Sequence, residues 1–204
     1  MLAGGHSRRF GETNKAIAVV NETTFVERVV QAVSSVTDNP PIIAVDTTDQ
    51  RATVETGLDS VDDLVFTSDT PSFQGPLSGL YGSLSAIDDQ WLFLTGCDMP
   101  RLSAEAIGWL ASRLPTTCAS PDALVPVHSD GEPEPLHAFY RQDAVADVRS
   151  ELRSDASLRA LHDALPELET VPISAAPSDV SLDASVKNVN TKREYHRIRR
   201  KIEK

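Results

Sequence analysis

The sequence predicts an α/β fold: one Rossmann-like three-layer sandwich around a mostly parallel central sheet, spanning residues 1–204 as a single domain. Short apolar runs alternate with amphipathic stretches, as buried strands and crossover helices do. At 204 residues the chain is long enough to bury one sizeable core. No internal repeat and no long low-complexity linker divides it.

The elements follow in order. Only Met1, Leu2 and Ala3 precede the first glycine pair, Gly4-Gly5. A parallel sheet normally feeds such a loop from a full buried strand. The first strand is therefore either very short and truncated at the N-terminus, or its true start lies upstream, and the expectation favours the upstream start. Thr24-x-x-Glu27 reads as a capping box, with Val26, Val29, Val30 and Val33 on one face of the helix it starts. Ile42-Ile43-Ala44-Val45, Leu64-Val65-Phe66, Trp91-Leu92-Phe93-Leu94 and Ala123-Leu124-Val125-Pro126-Val127 read as buried strands. Residues 77–87, 103–114, 143–153 and 157–165 read as helices, and His137-Ala138-Phe139-Tyr140 as a returning strand after the turn signal Asp130-Gly131. Residues 175–185 are small and polar and read as a loop. Thr191-x-x-Glu194 is a second capping box, opening a basic C-terminal helix.

Composition excludes several function classes. The formal charge is −11 and the pI about 4.8, which disfavours nucleic acid as a partner. Lysine occurs only at positions 15, 187, 192, 201 and 204. So acidic and lysine-poor a surface suits a halophilic cytoplasm, where a short Debye length makes self-repulsion cheap. Cys97 and Cys118 form no CxxC and sit beside no histidine pair, so free thiols are expected rather than a zinc site or a disulfide framework. The sequence shows no signal peptide and no membrane-length apolar run. A cytoplasmic protein with no membrane partner is expected.

Four motifs carry chemistry. The first is Leu2-Ala3-Gly4-Gly5-His6-Ser7-Arg8-Arg9-Phe10-Gly11 with Lys15. Adjacent glycines admit a phosphate chain close to the backbone, and successive N–H groups cradle it. Arg8, Arg9 and Lys15 add the positive charge a polyphosphate needs. The loop lacks both the GK[ST] ending of a Walker loop and the G-x-G-x-x-G spacing. The second motif is Asp69 with Gly75-Pro76-Leu77-Ser78-Gly79, a rigid helix entry whose backbone can read a flat ring and whose carboxylate can accept base N–H groups. The third is Gly96-Cys97-Asp98-Met99-Pro100, an aspartate just past an apolar strand and a candidate Mg²⁺ ligand. The fourth is Lys187-Asn188-Val189-Asn190-Thr191, whose asparagines can bind phosphate or cap the last helix.

Taken together and in this order, these residues resemble the molybdenum cofactor guanylyltransferases, within the glycosyltransferase-A-like nucleotidyltransferases. Gly75-Pro76-Leu77-x-Gly79 with Asn188-Val189-Asn190-Thr191 is the specific part; the glycine loop is shared with many nucleotidyltransferases. The resemblance implies a nucleotide-diphosphosugar-transferase-like fold. It implies transfer of GMP from GTP to molybdopterin carrying molybdenum, with release of pyrophosphate. It places Leu2, Ala3, Gly4, Gly5, Ser7 and Lys15 on the nucleotide, and Asp69, Gly75, Pro76 and Leu77 near guanine or ribose. It gives Asp98 to Mg²⁺ and Asn188 and Asn190 to the acceptor. Lys15, Arg9 and Asp98 are then the catalytic candidates, and molybdoenzymes or other cofactor-biosynthesis proteins the protein partners. Asn14 departs from the family, which often has an acidic residue there, and no asparagine follows the Ile42 strand, where Asp46 stands instead. The alternatives are a related enzyme using CTP or another phosphorylated acceptor, and a non-catalytic nucleotide-binding adaptor.

Overall fold

The computed structural model describes residues 1–4, 14–58, 61, 63–115 and 121–202. Gly5, His6, Ser7, Arg8, Arg9 and Cys118 lie outside the described residues.

Lys15–Ile17 is a 3₁₀ turn whose Asn14 cap accepts the Ala16 N–H at 2.9 Å. Strands β1 (Val19–Val20) and β2 (Thr23–Thr24) form a small antiparallel hairpin. Its turn puts Asn21 and Glu22 at φ 48° and 64°, the positive values a tight hairpin requires. Thr24 then caps α1 (Phe25–Ser34), accepting the Glu27 N–H at 3.2 Å. The chain continues through β3 (Ile42–Val45), α2 (Thr48–Glu55), β4 (Val65–Ser68), α3 (Pro76–Ser83), β5 (Trp91–Thr95) and α4 (Ala104–Ala111). After these come β6 (Ala123–Val127), β7 (His137–Arg141), α5 (Gln142–Asp147), α6 (Leu158–Ala164), β8 (Leu168–Pro172), α7 (Leu182–Ser185) and α8 (Lys192–Ile202).

Two ladders form the sheet, β3–β4 and β5–β7–β6–β8. Leu2 joins them, bridging Ala44 on one side and Gly96 on the other, both in parallel. The Leu2 N–H donates to Thr95 O at 2.8 Å, the Ala3 N–H to Ala44 O at 2.9 Å, the Ala44 N–H to Met1 O at 3.0 Å and the Cys97 N–H to Leu2 O at 3.1 Å. Apolar residues pack on both faces. Leu92, Leu94, Val125 and Tyr140 meet Leu80, Val145 and Leu161 on one face. Leu124, Phe139 and Val171 meet Val29, Ile107, Leu110 and Leu182 on the other. No helix among the described residues is long and apolar enough to cross a membrane.

Two expectations change, and three features go beyond what the sequence signalled. The sheet is mixed rather than mostly parallel, because β7 returns directly from β6 through a turn with Gly131 at φ +85° and runs antiparallel to both β5 and β6. Residues 175–185 are not all loop, since their end forms α7, which buries Leu182 and Ser185. The β1–β2 hairpin, α2 and β8 carry no strong sequence signal. The hairpin uses Asn-Glu rather than Asn-Gly, α2 buries only Val54, and β8 is mostly exposed.

His137 on β7 is fully buried, and neither ring nitrogen has a hydrogen-bond partner among the described residues. Its ring meets Phe93 edge-on at 5.2 Å. Burial pulls its pKa down from 6.5 to about 3, and burial also lowers His162. The unfolded chain therefore takes up protons near pH 6.5 that the folded chain refuses. Stability is complete above that pH and falls as the pH drops toward 3, by up to about 1.4 kcal/mol per unit for one such group. Urea titrations at several pH values check this: His137→Phe is expected to flatten the decline between pH 6.5 and 4.

Candidate active site

The carboxyl ends of the residue 1–3 segment, β3, β4 and β5 converge on one cavity of about 600 Å³. Each strand hands over its next residues to the wall: Gly4, Asp46, Asp69 and the Gly96-Cys97-Asp98 turn. Ligands in open α/β sheets bind at this edge. Lys15 and Asn190 also line the cavity, as do Gly75 and Pro76 at the start of α3.

The centre of the site is a three-residue node. Lys15 Nζ donates to Asp98 Oδ2 at 2.7 Å and to Asn190 Oδ1 at 2.7 Å. The Lys15 and Asp98 side chains are only 12% and 20% exposed, so their attraction is less screened than that of a surface pair. Asn190 is held in turn. Its Nδ2 donates to Asn188 Oδ1 at 3.0 Å, and its backbone N–H donates to Glu194 Oε2 at 2.7 Å. Glu194 also accepts the Thr191 N–H at 2.8 Å, while Thr191 Oγ1 accepts the Glu194 N–H at 3.2 Å. The second capping box thus forms in full. The hydrogen bond from the Asn190 N–H is the largest cause holding the Glu194 carboxyl below the usual carboxylate range. Between the two exposed asparagines, Val189 is fully buried against Phe25, Val20 and Ile198, and its N–H donates to Asp98 O at 2.8 Å. Alternation along Asn188-Val189-Asn190 therefore anchors the segment through its middle residue and presents the amides outward.

Glycines make room for the carboxylates. A Cβ on Gly96 would lie 2.6 Å from Asp98 Oδ1, and one on Gly4 would lie 2.7 Å from Asp69 Oδ2. Gly79, on α3, faces Asp69 Oδ1 in the same way at 3.2 Å. Burial first, and then the charge of Asp46, push the Asp69 carboxyl above its ordinary pKa. Asp69 Oδ1 is buried with no hydrogen-bond partner among the described residues. A carboxyl kept in that condition is suited to meet hydrogen-bond donors that a ligand brings.

The structure brings Leu2, Ala3, Gly4, Lys15, Asp69, Gly75, Pro76, Asp98 and Asn190 to the cavity wall. Asn188 stands one step back, as the partner of Asn190. The Leu77 side chain is fully buried in the core beneath α3, so only its backbone is at the disposal of a ligand. Gly75 adopts φ +60° as the cap of α3 and supplies no side-chain hydrogen bond, which leaves the first-turn N–H groups at the rim. Gly5, Ser7 and Arg9 lie outside the described residues. Sequence reasoning passed over Gln50, whose Nε2 donates to Gly4 O at 2.9 Å and whose Oε1 accepts the Asp46 N–H at 2.9 Å. A glutamine inside a polar helix carries no motif that would have marked it. Cys97 has a free thiol. Burial pushes its pKa up to about 12, so it is a protonated wall residue rather than a nucleophile.

No group of three or more His, Cys, Asp or Glu among the described residues could hold a metal ion by itself. Asp98, alone at the end of β5, instead fits a hard cation that takes one or two carboxylates and completes its shell with phosphate oxygens and water.

Residues 1–170 match the MobA-like NTP transferase domain. A probable molybdenum cofactor guanylyltransferase of Bacillus cereus (strain B4264) is 30% identical over 197 residues, covering 96% of this chain and 92% of the relative. Among solved structures, the molybdopterin-guanine dinucleotide biosynthesis protein A of Archaeoglobus fulgidus shares the fold with a TM-score of 0.76 at 21% identity, covering 98% of this chain and 95% of that one. The manganese complex of Rv0371c from Mycobacterium tuberculosis H37Rv superposes with a TM-score of 0.68 at 14% identity, covering 98% and 95%. Family match, full-length relatives and the cavity at the strand ends agree: the chain belongs to the MobA-like NTP transferase domain family and is a nucleotidyltransferase.

Proposed function

We propose that the chain transfers GMP from GTP to molybdopterin carrying molybdenum, forming the guanine dinucleotide cofactor and pyrophosphate. The observation that carries this reading is the node of Lys15, Asp98 and Asn190 in the cavity that also holds Asp69. The names borne by the Bacillus cereus relative and the Archaeoglobus fulgidus protein support the choice of donor and acceptor.

The reaction joins two anions, so repulsion is the main obstacle. An oxygen of the acceptor phosphate attacks the α-phosphorus of GTP, the bond to the β-phosphate breaks, and pyrophosphate leaves. The attacking phosphate is already ionised near neutral pH and needs no strong base. Lys15 offers its ammonium to the charge that builds on the phosphates. Gly4 and its neighbours let the phosphate chain lie against the backbone, with Arg9 as a further cation of the loop. Asp69 and the α3 entry at Gly75 and Pro76 receive the guanine or ribose, while Asn190, supported by Asn188, faces the acceptor. Asp98 would hold Mg²⁺, which when bound neutralises phosphate charge and stabilises the leaving group. Positioning and electrostatics supply most of the acceleration.

Pyrophosphate release with molybdopterin in high salt, comparing GTP, CTP and ATP, tests the reading. GTP is the expected donor. CTP as the sole effective donor overturns the guanylyl assignment, and tight GTP binding without turnover favours an adaptor. Lys15→Ala is expected to lower turnover roughly 10²–10³-fold, and Asp98→Ala to remove metal-dependent turnover, both read by steady-state kinetics. Gly96→Ala is expected to fold yet lose most activity, because its Cβ displaces the Asp98 carboxylate. Gly108→Ala, where a Cβ meets nothing within 4 Å, is expected to keep full activity and gain up to about 1 kcal/mol of stability, read by urea denaturation.

A further inference from the structure

Two roles in the site fall on one atom. Asp98 is the carboxylate suited to a divalent cation, and its Oδ2 accepts from Lys15 Nζ at 2.7 Å. Both side chains are largely withdrawn from solvent, so the pair is held more firmly than a surface contact. The other carboxylate oxygen, Oδ1, is packed over Gly96, 2.6 Å from where a Cβ would stand. A cation that takes Asp98 therefore competes with the Lys15 ammonium.

Of the two partners, Lys15 is the one built to move. The Asp98 backbone is fixed where its carbonyl accepts the N–H of the fully buried Val189 at 2.8 Å, and its side chain is short. Lys15 carries its charge on a flexible four-carbon stem. It also has a second hold. Nζ donates to Asn190 Oδ1 at 2.7 Å as well as to Asp98. Asn190 is clamped by Asn188 and Glu194, and the charge of Lys15 reaches the Glu194 carboxylate. Lys15 can therefore release Asp98 and keep Asn190. The charges decide when it does. A divalent cation arriving alone would have to displace an ammonium in exchange for one carboxylate, since no group of three or more His, Cys, Asp or Glu among the described residues could complete its shell. A hard cation sheds water reluctantly for so little. A triphosphate changes both sides of the exchange. Its oxygens supply the ligands that the protein lacks, and they offer the ammonium several negative charges in place of one.

We propose that Lys15 is the resident counter-ion of Asp98. It bars the carboxylate to a divalent cation that comes without a triphosphate, and it yields the carboxylate when a triphosphate draws the ammonium away, pivoting on Asn190. This rests on the reading of Asp98 as the carboxylate that holds the metal. Lys15 then has two tasks in succession: it neutralises Asp98 first and the phosphates afterwards. Asn190 is the pivot between them. Metal and triphosphate promote one another's binding through this exchange, because each removes what opposes the other.

Mn²⁺ binding to the purified protein without nucleotide, read from the paramagnetic resonance of the free ion, tests the exchange. Lys15→Gln is expected to hold Mn²⁺ roughly 10- to 100-fold more tightly than the unchanged protein, the scale of one charge-assisted hydrogen bond removed from a competitor. Damage to the fold would move the affinity the other way. Lys15→Arg keeps the cation and is expected to bind Mn²⁺ as weakly as the unchanged protein. Asp98→Asn added to Lys15→Gln is expected to abolish the gain. Equal Mn²⁺ affinity in the unchanged protein and Lys15→Gln overturns the proposal, as does an equal gain in Lys15→Arg. A gain that survives Asp98→Asn, through Asp46 and Asp69 for instance, overturns the metal assignment and the proposal with it. None of these results bears on donor or acceptor, which the pyrophosphate-release comparison decides.

Discussion

The seam formed by residues 1–3 is the constraint on which the rest of the molecule depends. β3 and β5 do not pair with each other; Leu2 pairs with both and makes two ladders into one sheet. The glycine that follows, the aspartates after β3 and β4, and the Gly96-Cys97-Asp98 turn are brought to one edge because that seam sets their heights. The β3 and β5 ends that line the candidate active site are held at one level by a few backbone hydrogen bonds made by the first residues of the chain.

The site combines charges that would repel one another without support. Burial first, and then Asp46, raise the pKa of Asp69, while Asp98 is matched by Lys15. In a chain of net charge −11, the partly buried Lys15 between Asp98 and Asn190 concentrates cationic character at the cavity wall. The uncharged amides extend that surface without adding repulsion. This division suits a reaction between two anions. In the proposed reaction the fixed donors would meet the phosphates, and the carboxylates would be left to a cation and to the N–H or O–H groups of the nucleoside.

Much of this was legible in the sequence because the responsible residues carry local signatures. Asp69 and Asp98 stand just past the apolar runs of β4 and β5, Gly75 opens α3 and Lys15 follows a glycine-rich run, and the carboxyl ends of strands are where an open α/β sheet forms its crevice. Thr191 and Glu194 announced their capping box by spacing alone, and the structure forms it. What was not legible depends on contacts between distant segments. Gln50 links Gly4 to Asp46 from the side of a polar helix, and no spacing rule marks it. Gly79 and Gly96 read as generic small residues until a carboxylate is seen where their Cβ would stand. Leu77 belongs to a motif by its neighbours, yet its side chain serves the core. The antiparallel course of β7 escaped the expectation of a mostly parallel sheet because apolar alternation reports burial and not direction.

Lys15 and Asn190 are 175 positions apart in sequence, and their hydrogen bond depends on the turn that α8 caps. The order of synthesis therefore matters. Until residues 190–194 have joined the fold, Asn190 is not in place beside Lys15, however well the sheet has already formed. A chain that stops before residue 190 therefore lacks the hydrogen bond that Lys15 donates to Asn190, although every strand of the sheet precedes that point.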